Sequence, residues 1–383
     1  MQKVIIIGGS GNIGLQTLEL ISQYNSEFIL ETLILHSNLD AGVDLYNKYK
    51  PNNIAFTSEN ITKKQVTEKF NSNINNVYLG VEDTLQLLEV DDHIVIFAAS
   101  GVNSAPLLLQ LLKYKNLIGL VNKEIVVSFG SIVMKSINNS KSTIIPLDSE
   151  HNAVWRTLDN NRNNIHKLLL VCSGSSLFHK TYDEIKDYTK EQVLNSSVWN
   201  MGNKITIDSA TLVNKGLEFI EMSHLFNINH NKIEVVRHKE AILHGGVFFQ
   251  DGSFSGCFYK PNMKTSILSV LNYNNIGLQY DTFNIMDLNN ISFESIAEEK
   301  FKPIKLAQDA LDAGTNYTIA YNRVNEHLVS DFLNDEILFG DIILYLEKFL
   351  AYLPPAKINS IDCGIEYIKE IDSMYNTTYP NWR

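Results

Sequence analysis

Two carboxylates stand two residues apart in Pro146-Leu147-Asp148-Ser149-Glu150-His151-Asn152, behind an apolar run at 143–147. In an extended chain Asp148 and Glu150 project to the same side, where they repel unless a cation sits between them. Oxygen donors of this kind suit Mg²⁺ or Mn²⁺. The competing reading is a solvated helix start, with Ser149 as cap and Glu150 favouring the helix dipole. A second segment, 201–221, shifts the balance toward metal. There Asp208-Ser209 reads as a helix start, followed by Asn214, Lys215 and Glu218. Glu218 offers a third carboxylate to a metal set, and Ser209, Asn214 and Lys215 are donors for a small anion. The plain alternative for Lys215 and Glu218 is an i,i+3 ion pair of a few tenths of a kcal/mol. A third segment, Cys172-Ser173-Gly174-Ser175-Ser176, follows an expected strand at 168–171. Its amides and hydroxyls suit a phosphate, or they form an ordinary turn.

A nucleotide site announces itself at the N-terminus. The apolar run 4–7 leads into Gly8-Gly9-Ser10-Gly11-Asn12-Ile13-Gly14, with the spacing G-x-G-x-x-G. The early glycines permit a tight turn and close approach to a pyrophosphate, and the last lets the helix pack near the strand. The helix start then presents N–H groups to the phosphates. The next strand ends at His36-Ser37-Asn38, without the acid that would hold the ribose 2′-hydroxyl of NAD. The first acid is Asp40, and the pattern leans to NADP, although no Arg or Lys occurs there either.

These residues need elements to hold them. Expected strands at 4–7, 28–35, 53–56, 77–79, 94–98, 116–120 and 143–147 alternate with helical patterns at 12–24, 62–71, 105–114 and 123–136, which predicts a parallel, doubly wound sheet. Residues 149–272 contain more strand, with a helix near 211–225, and 300–383 read as helical. The polar, Asn-rich stretch 273–299 reads as a linker. The expected fold is therefore α/β: a Rossmann domain at 1–148, an α+β catalytic domain at 149–272, and a C-terminal helical domain at 300–383. With 32 basic and 43 acidic residues the net charge is −11, which argues against a broad nucleic-acid surface. Three separated cysteines and no CxxC pair exclude a disulfide framework and fit a reducing, cytoplasmic compartment. No apolar run approaches the length of a membrane span.

The blocks Gly8–Gly14, Asn122-Lys123-Glu124, Pro146–Ala153 and residues 204–221, with Gln250-Asp251-Gly252-Ser253 and Pro261-Asn262-Met263, resemble 1-deoxy-D-xylulose 5-phosphate reductoisomerase over almost the whole chain. The resemblance implies a homodimer using NADPH and Mn²⁺ or Mg²⁺ in isoprenoid biosynthesis. A ketose phosphate would be rearranged and then reduced to 2-C-methyl-D-erythritol 4-phosphate. It implies Asp148, Glu150 and Glu218 as metal ligands, with Ser149 and Lys123 at the reacting end of the substrate. Ser173, Ser209, Asn214 and Lys215 would hold its phosphate, and Trp199 would cover it. Gly8, Ser10, Gly11, Asn12, Ile13, Asn122, Lys123 and Glu124 would touch the cofactor, together with His36, Ser37 and Asn38.

The chain departs from the family pattern where a lid motif His-Pro-x-Trp-x-Met-Gly reads Ser196-Ser197-Val198-Trp199-Asn200-Met201-Gly202. A Ser-Gly-Gly-Pro turn likewise reads Ser173-Gly174-Ser175-Ser176. Ser175, Ser176, Ser196 and Ser197 would suit an extra substrate hydroxyl. The alternatives are therefore a relative acting on D-xylulose or D-ribulose 5-phosphate to make a branched sugar or polyol phosphate, an NADP dehydrogenase without rearrangement, and a non-catalytic nucleotide-binding paralogue.

Overall fold

The computed structural model describes residues 1–70, 76–158, 164–196, 202–282, 284, 286, 288 and 291–378. The chain begins β1 (Gln2–Ile7), α1 (Asn12–Gln23), β2 (Phe28–Leu35), α2 (Leu39–Tyr49), β3 (Asn53–Phe56), α3 (Lys63–Lys69), β4 (Val77–Leu79) and α4 (Gly80–Leu87). It continues β5 (Ile94–Phe97), α5 (Ala105–Leu111), β6 (Leu117–Leu120), α6 (Lys123–Asn139), β7 (Thr143–Pro146) and α7 (Ser149–Leu158). Then follow β8 (Ile165–Cys172), α8 (Tyr182–Ile185), α9 (Lys190–Leu194), α10 (Asn203–Thr211), α11 (Val213–Leu225), β9 (Ile233–Arg237), β10 (Leu243–Phe249), β11 (Phe254–Phe258) and α12 (Met263–Leu271). Four helices close the chain: α13 (Glu298–Ala313), α14 (Thr315–Leu333), α15 (Asp341–Tyr352) and α16 (Ile361–Thr378).

Two compact units emerge. The first comprises Met1–Asn122, Lys135–Trp155 and Tyr259–Phe283. Its seven strands run in the order β4-β3-β2-β1-β5-β6-β7, with every pairing parallel. Val4 to Ile7 are all buried, as expected for a strand covered on both faces, whose sequence is a continuous apolar run. The strand order reverses at β1, the crevice where doubly wound sheets bind ligands. Helix α12, buried from Thr265 to Leu271, joins this core through Ile267, Leu268, Val270 and Leu271, followed by Leu278.

The second unit comprises Lys123–Met134, Arg156–Phe258 and Asn284–Arg383. Its four strands run β11-β10-β8-β9. Strand β8 is parallel to β9 and antiparallel to β10. Helix α11 packs on α13 and α14, and α14 on α15 and α16. The stretch expected as a linker is shared out: Leu278 lies in the first unit's core, while Glu294 bridges to Arg237 in the second. The units thus do not follow the sequence order of the three expected parts. Among the described residues, no helix is long and apolar enough to cross a membrane.

Two local expectations are corrected. Asp148 and Glu150 do not alternate along an extended chain. The Asp148 carbonyl accepts the Asn152 N–H at 2.8 Å, so α7 begins at Ser149 and Glu150 lies in its first turn. Burial of Ala153, Val154 and Leu158 and bonds from the Asn152 amide to the Pro146 carbonyl (2.9 Å) and Ser269 Oγ (2.8 Å) favour the helix. Nor does Asp208-Ser209 start a helix. Both lie inside α10, and the break comes at Leu212, which is left-handed at φ 64°. Asp208 is 1% exposed and is satisfied by Lys204 Nζ and Asn325 Nδ2, each at 2.8 Å.

Candidate active site

In the first unit, the turn after β1 is shaped by crowding. Gly8 has φ 89°, and a Cβ there would stand 2.5 Å from the Ala98 carbonyl oxygen. The Gly8 and Gly9 amides both donate to the Ile34 carbonyl, at 2.9 and 3.0 Å, tying the turn to β2. A Cβ on Gly14 would be 2.4 Å from the Gly8 oxygen, so the helix lies directly on the turn. Gly11 is the cap of α1, with φ −77°, and its surroundings are open except for the Gly8 oxygen at 3.4 Å. Leu15 donates the first helical bond to Gly11, 2.9 Å, so the amides of Asn12, Ile13 and Gly14 precede the ladder and face outward from the helix end. Ser10 and Asn12 are exposed and Ile13 half-buried. The buried Asn122 amide lies 2.7 Å from the Ala99 carbonyl and 2.9 Å from that of Gly101, holding the loop after β5.

At the end of β2, His36 Nδ1 lies 2.9 Å from Thr57 Oγ1. Asn38 caps α2 by accepting the Ala41 N–H at 3.0 Å. A cavity of about 330 Å³ opens beside them, lined by Ser37, Asn38, Asp40, Gln65, Glu68 and Lys69. Lys69, from α3, meets Asp40 at 2.6 Å. The sequence shows no cation near positions 36–38, but the fold delivers one from over 30 residues downstream.

The second unit gathers Lys123, Asn214, Lys215 and Glu218. Glu218 is 2% exposed and Lys215 5%. Lys123 Nζ lies 3.0 Å from Asn214 Oδ1 and 3.2 Å from Glu218 Oε1. Asn214 Nδ2 donates to the same Glu218 oxygen, and Lys215 Nζ to the other. Lys215 also donates to the Val171 carbonyl at 2.7 Å, which anchors it to the end of β8. The pair is therefore buried and directional, unlike the surface i,i+3 pair that is its plain reading. Within α10, burial is the largest influence on Lys204 and lowers its pKa, but Asp208 and then Glu124 outweigh it, and the pKa is raised. Asp148, Ser149 and Glu150 stand in the first unit at the start of α7, each half-buried. Ser149 Oγ donates to the Glu150 carboxylate, and the Ser149 carbonyl accepts the Tyr259 hydroxyl at 2.9 Å.

The serines of the turn after β8 and of the lid differ in exposure. Ser173 is half-buried. Ser175 Oγ accepts the Leu177 N–H at 3.2 Å, and Ser196 Oγ donates to the Val193 carbonyl at 2.6 Å. Both serines are under 9% exposed, so neither hydroxyl is presented to an extra substrate hydroxyl as expected from sequence. Ser176 is exposed; Ser197 and Trp199 lie outside the described residues. Trp155 packs against the first unit's core, and Cys172 is a buried thiol.

These arrangements match one family along nearly the full length. The family model for 1-deoxy-D-xylulose 5-phosphate reductoisomerase matches residues 4–130, and two models of its C-terminal domain match 144–226 and 259–375. The chain belongs to the 1-deoxy-D-xylulose 5-phosphate reductoisomerase family. It is 34% identical to the reductoisomerase of Listeria welshimeri, over 91% of this chain and 92% of that one. Against that of Chlamydia pneumoniae it is also 34% identical, over 97% of each. Among solved structures, it superposes on the reductoisomerase from Zymomonas mobilis in complex with NADPH with TM-score 0.88, 26% identity and 97% coverage of each chain. A reductoisomerase in complex with NADPH, fosmidomycin and magnesium gives TM-score 0.88, 29% identity and 98% coverage of each.

Proposed function

We propose that this member of the family converts 1-deoxy-D-xylulose 5-phosphate to 2-C-methyl-D-erythritol 4-phosphate, using NADPH and Mn²⁺ or Mg²⁺. The observation that carries the reading is the buried Lys123–Asn214–Lys215–Glu218 constellation, whose residue types at these positions are those of the family's substrate site. A structural helix pair has no need of two lysines and an amide on one carboxylate.

The residues fit both the cofactor and the metal. Removing Cβ at Gly8 and Gly14 leaves a turn and helix end apt for a pyrophosphate. Gly8, Ser10, Gly11, Asn12 and Ile13 would line it, with Asn122, Lys123 and Glu124 toward the nicotinamide end. His36, Ser37 and Asn38 would take the adenosine ribose, and Lys69, beside Asn38 across the cavity, supports NADPH over NADH. NADPH, when bound, supplies hydride. For the metal, Asp148, Glu150 and Glu218 are all hard oxygen donors. Glu218 has both oxygens oriented by hydrogen bonds, the support a metal ligand requires. A metal held there would act as Lewis acid and template for the hydroxyketone oxygens.

The chain's own residues bind and orient. Ser173, Ser209, Asn214 and Lys215 hold the substrate phosphate, with Lys215 fixed by the Val171 carbonyl. Lys123 and Ser149 face the reacting oxygens, with Lys123 Nζ placed by Asn214 and Glu218. Trp199 is assigned to cover the substrate from the family motif alone. By role, we assign the cofactor part to residues 1–148, the catalytic part to 149–272 and the helical part to 300–383, with 273–299 connecting them in sequence; these parts interleave in the two compact units. A homodimer is proposed, supported by edge strand β11 with its exposed Phe254. A cytoplasmic setting is supported by three free thiols. The readings with a more hydroxylated ketose lose Ser196 as a donor, since its hydroxyl is given to the Val193 carbonyl, and find Ser175 buried. The test is NADPH oxidation with Mn²⁺ on 1-deoxy-D-xylulose, D-xylulose and D-ribulose 5-phosphates. The first is expected to be turned over; turnover of a hydroxylated ketose alone would overturn the proposal.

A further inference from the structure

The family's Ser-Gly-Gly-Pro turn has lost its proline in this chain, and with it the fixed φ that stiffens a turn. Something else must hold Ser173–Ser176 if Ser173 is to meet a phosphate. Strand β9 ends opposite this turn, with Arg237 paired to Cys172 in the sheet register. Arg237 is only 8% exposed. Its Nε lies 3.4 Å from the Ser173 carbonyl. Its Nη1 lies 2.9 Å from Glu294 Oε2 and 2.9 Å from His179 Nε2, and the guanidinium sits 4.3 Å over the Phe178 ring. Gly174 has φ 73°, and a Cβ there would stand 2.8 Å from Arg237 Nε, so the turn closes directly onto the guanidinium. Backbone bonds of 2.9 Å in both directions between Arg237 and Glu294 lock the pair in place.

We propose that Arg237 is a positioning residue for the substrate phosphate: it clamps the Ser173–Ser176 turn in the shape that the family obtains from proline. This rests on the phosphate-holding role of Ser173 proposed above. The planar fork suits the task, since it bonds a carbonyl, an imidazole and a carboxylate in fixed directions while stacking on an aromatic ring. Two lesser ties assist. Ser176 donates its N–H to the Ser196 carbonyl at 3.1 Å, and Ser175 bonds Leu177. Both are local to the turn and its neighbouring loop. Arg237 joins the turn to the sheet, at the same end of the β8–β9 pair where Lys215 is anchored to Val171.

The experiment measures inorganic phosphate binding by calorimetry on the full chain, together with KM and kcat for 1-deoxy-D-xylulose 5-phosphate. R237M is expected to weaken phosphate about tenfold, or about 1.4 kcal/mol, and to raise KM similarly while kcat and the KM for NADPH stay within about twofold. R237K keeps the charge without the fork and is expected to recover only part of the loss. E294Q is a milder variant in case R237M fails to fold, and is expected to weaken phosphate in the same direction. The proposal is overturned if folded R237M or E294Q binds phosphate as the wild type does, if R237K recovers fully, if kcat falls well beyond twofold as KM rises, or if the wild type binds no phosphate at millimolar concentration. Lack of turnover by the wild type would count against the proposed substrate alone, because phosphate binding still decides the role of Arg237.

Discussion

The glycines of the nucleotide turn make the sharpest paired prediction. In Gly14→Ala the new Cβ would meet the Gly8 oxygen at 2.4 Å and Gly9 Cα at 2.7 Å. Both obstacles are backbone, and both residues are held by the Ile34 carbonyl. Relief requires lifting the turn from β2 or α1 from the sheet. Overpacking of about 1–3 kcal/mol plus about 1 kcal/mol for a strained hydrogen bond gives a loss of about 3 kcal/mol. For a unit of this size that is a fall in Tm of roughly 6–12 °C. In Gly11→Ala the methyl meets only the Gly8 oxygen, at 3.4 Å, and φ −77° is open to alanine. The structural cost is about 1 kcal/mol or less, from the poorer helix cap. Yet this methyl stands where the pyrophosphate must approach, so NADPH affinity is expected to fall by about tenfold or more, or about 1.4 kcal/mol. Thermal scans and NADPH fluorescence titration of both variants check the pair. The reasoning is refuted if Gly14→Ala melts with the wild type, or if Gly11→Ala binds NADPH unchanged.

Other expectations follow from single contacts. Lys69→Met should raise KM for NADPH about tenfold, about 1.4 kcal/mol, with NADH kinetics unmoved; equal effects on both would remove Lys69 from the 2′-phosphate. Asn325→Ala leaves the buried Asp208 without its 2.8 Å amide partner and should cost about 2–3 kcal/mol in urea unfolding; a loss under about 0.5 kcal/mol would contradict this. Burial lowers the His224 pKa to about 4, where a Cβ on Gly130 would lie 2.4 Å from its ring. Its unfolded pKa is about 6.5, so this contribution is complete above pH 6.5 and is lost as pH falls toward 4, at no more than roughly 1.4 kcal/mol per unit. Tm from pH 7.5 to 4.5 should therefore fall less steeply in His224→Gln than in the wild type; equal slopes would count against it. Glu218→Gln should lower turnover with Mn²⁺ by about 100-fold, about 2.7 kcal/mol of barrier, whereas near-normal activity would remove Glu218 from the metal set.

The parallel sheet was legible because its strands are covered on both faces, and Val4–Ile7 or Ile94–Phe97 therefore appear as uninterrupted apolar runs. The proposed site residues come from the family resemblance. Local geometry was less so. Asp-Ser before a helical pattern imitates a cap, so Asp208 looked like a helix start; the break at Leu212 rests on a left-handed leucine that carries no sequence signal. Asp148 and Glu150 matched an alternating pattern, but the helical spacing of Ala153, Val154 and Leu158 prevailed. Lys69 beside Asn38, and Arg237 behind Ser173, depend on long-range meetings of side chains. Basic residues are scattered along the chain, and only the fold selects which of them arrive. The serines of the altered turn and lid suggest ligand donors because sequence shows their hydroxyls and not the Leu177 and Val193 backbone groups bonded to Ser175 and Ser196.

The central claim is a carbon-skeleton rearrangement followed by reduction. The most direct measurement is ¹³C NMR of the product formed from 1-deoxy-D-xylulose 5-phosphate by the wild-type chain with NADPH and Mn²⁺. The account predicts a branched product with a methyl-bearing quaternary carbon, one NADPH consumed per product, and none formed after chelation. An unbranched polyol phosphate, or the same product without metal, would contradict it.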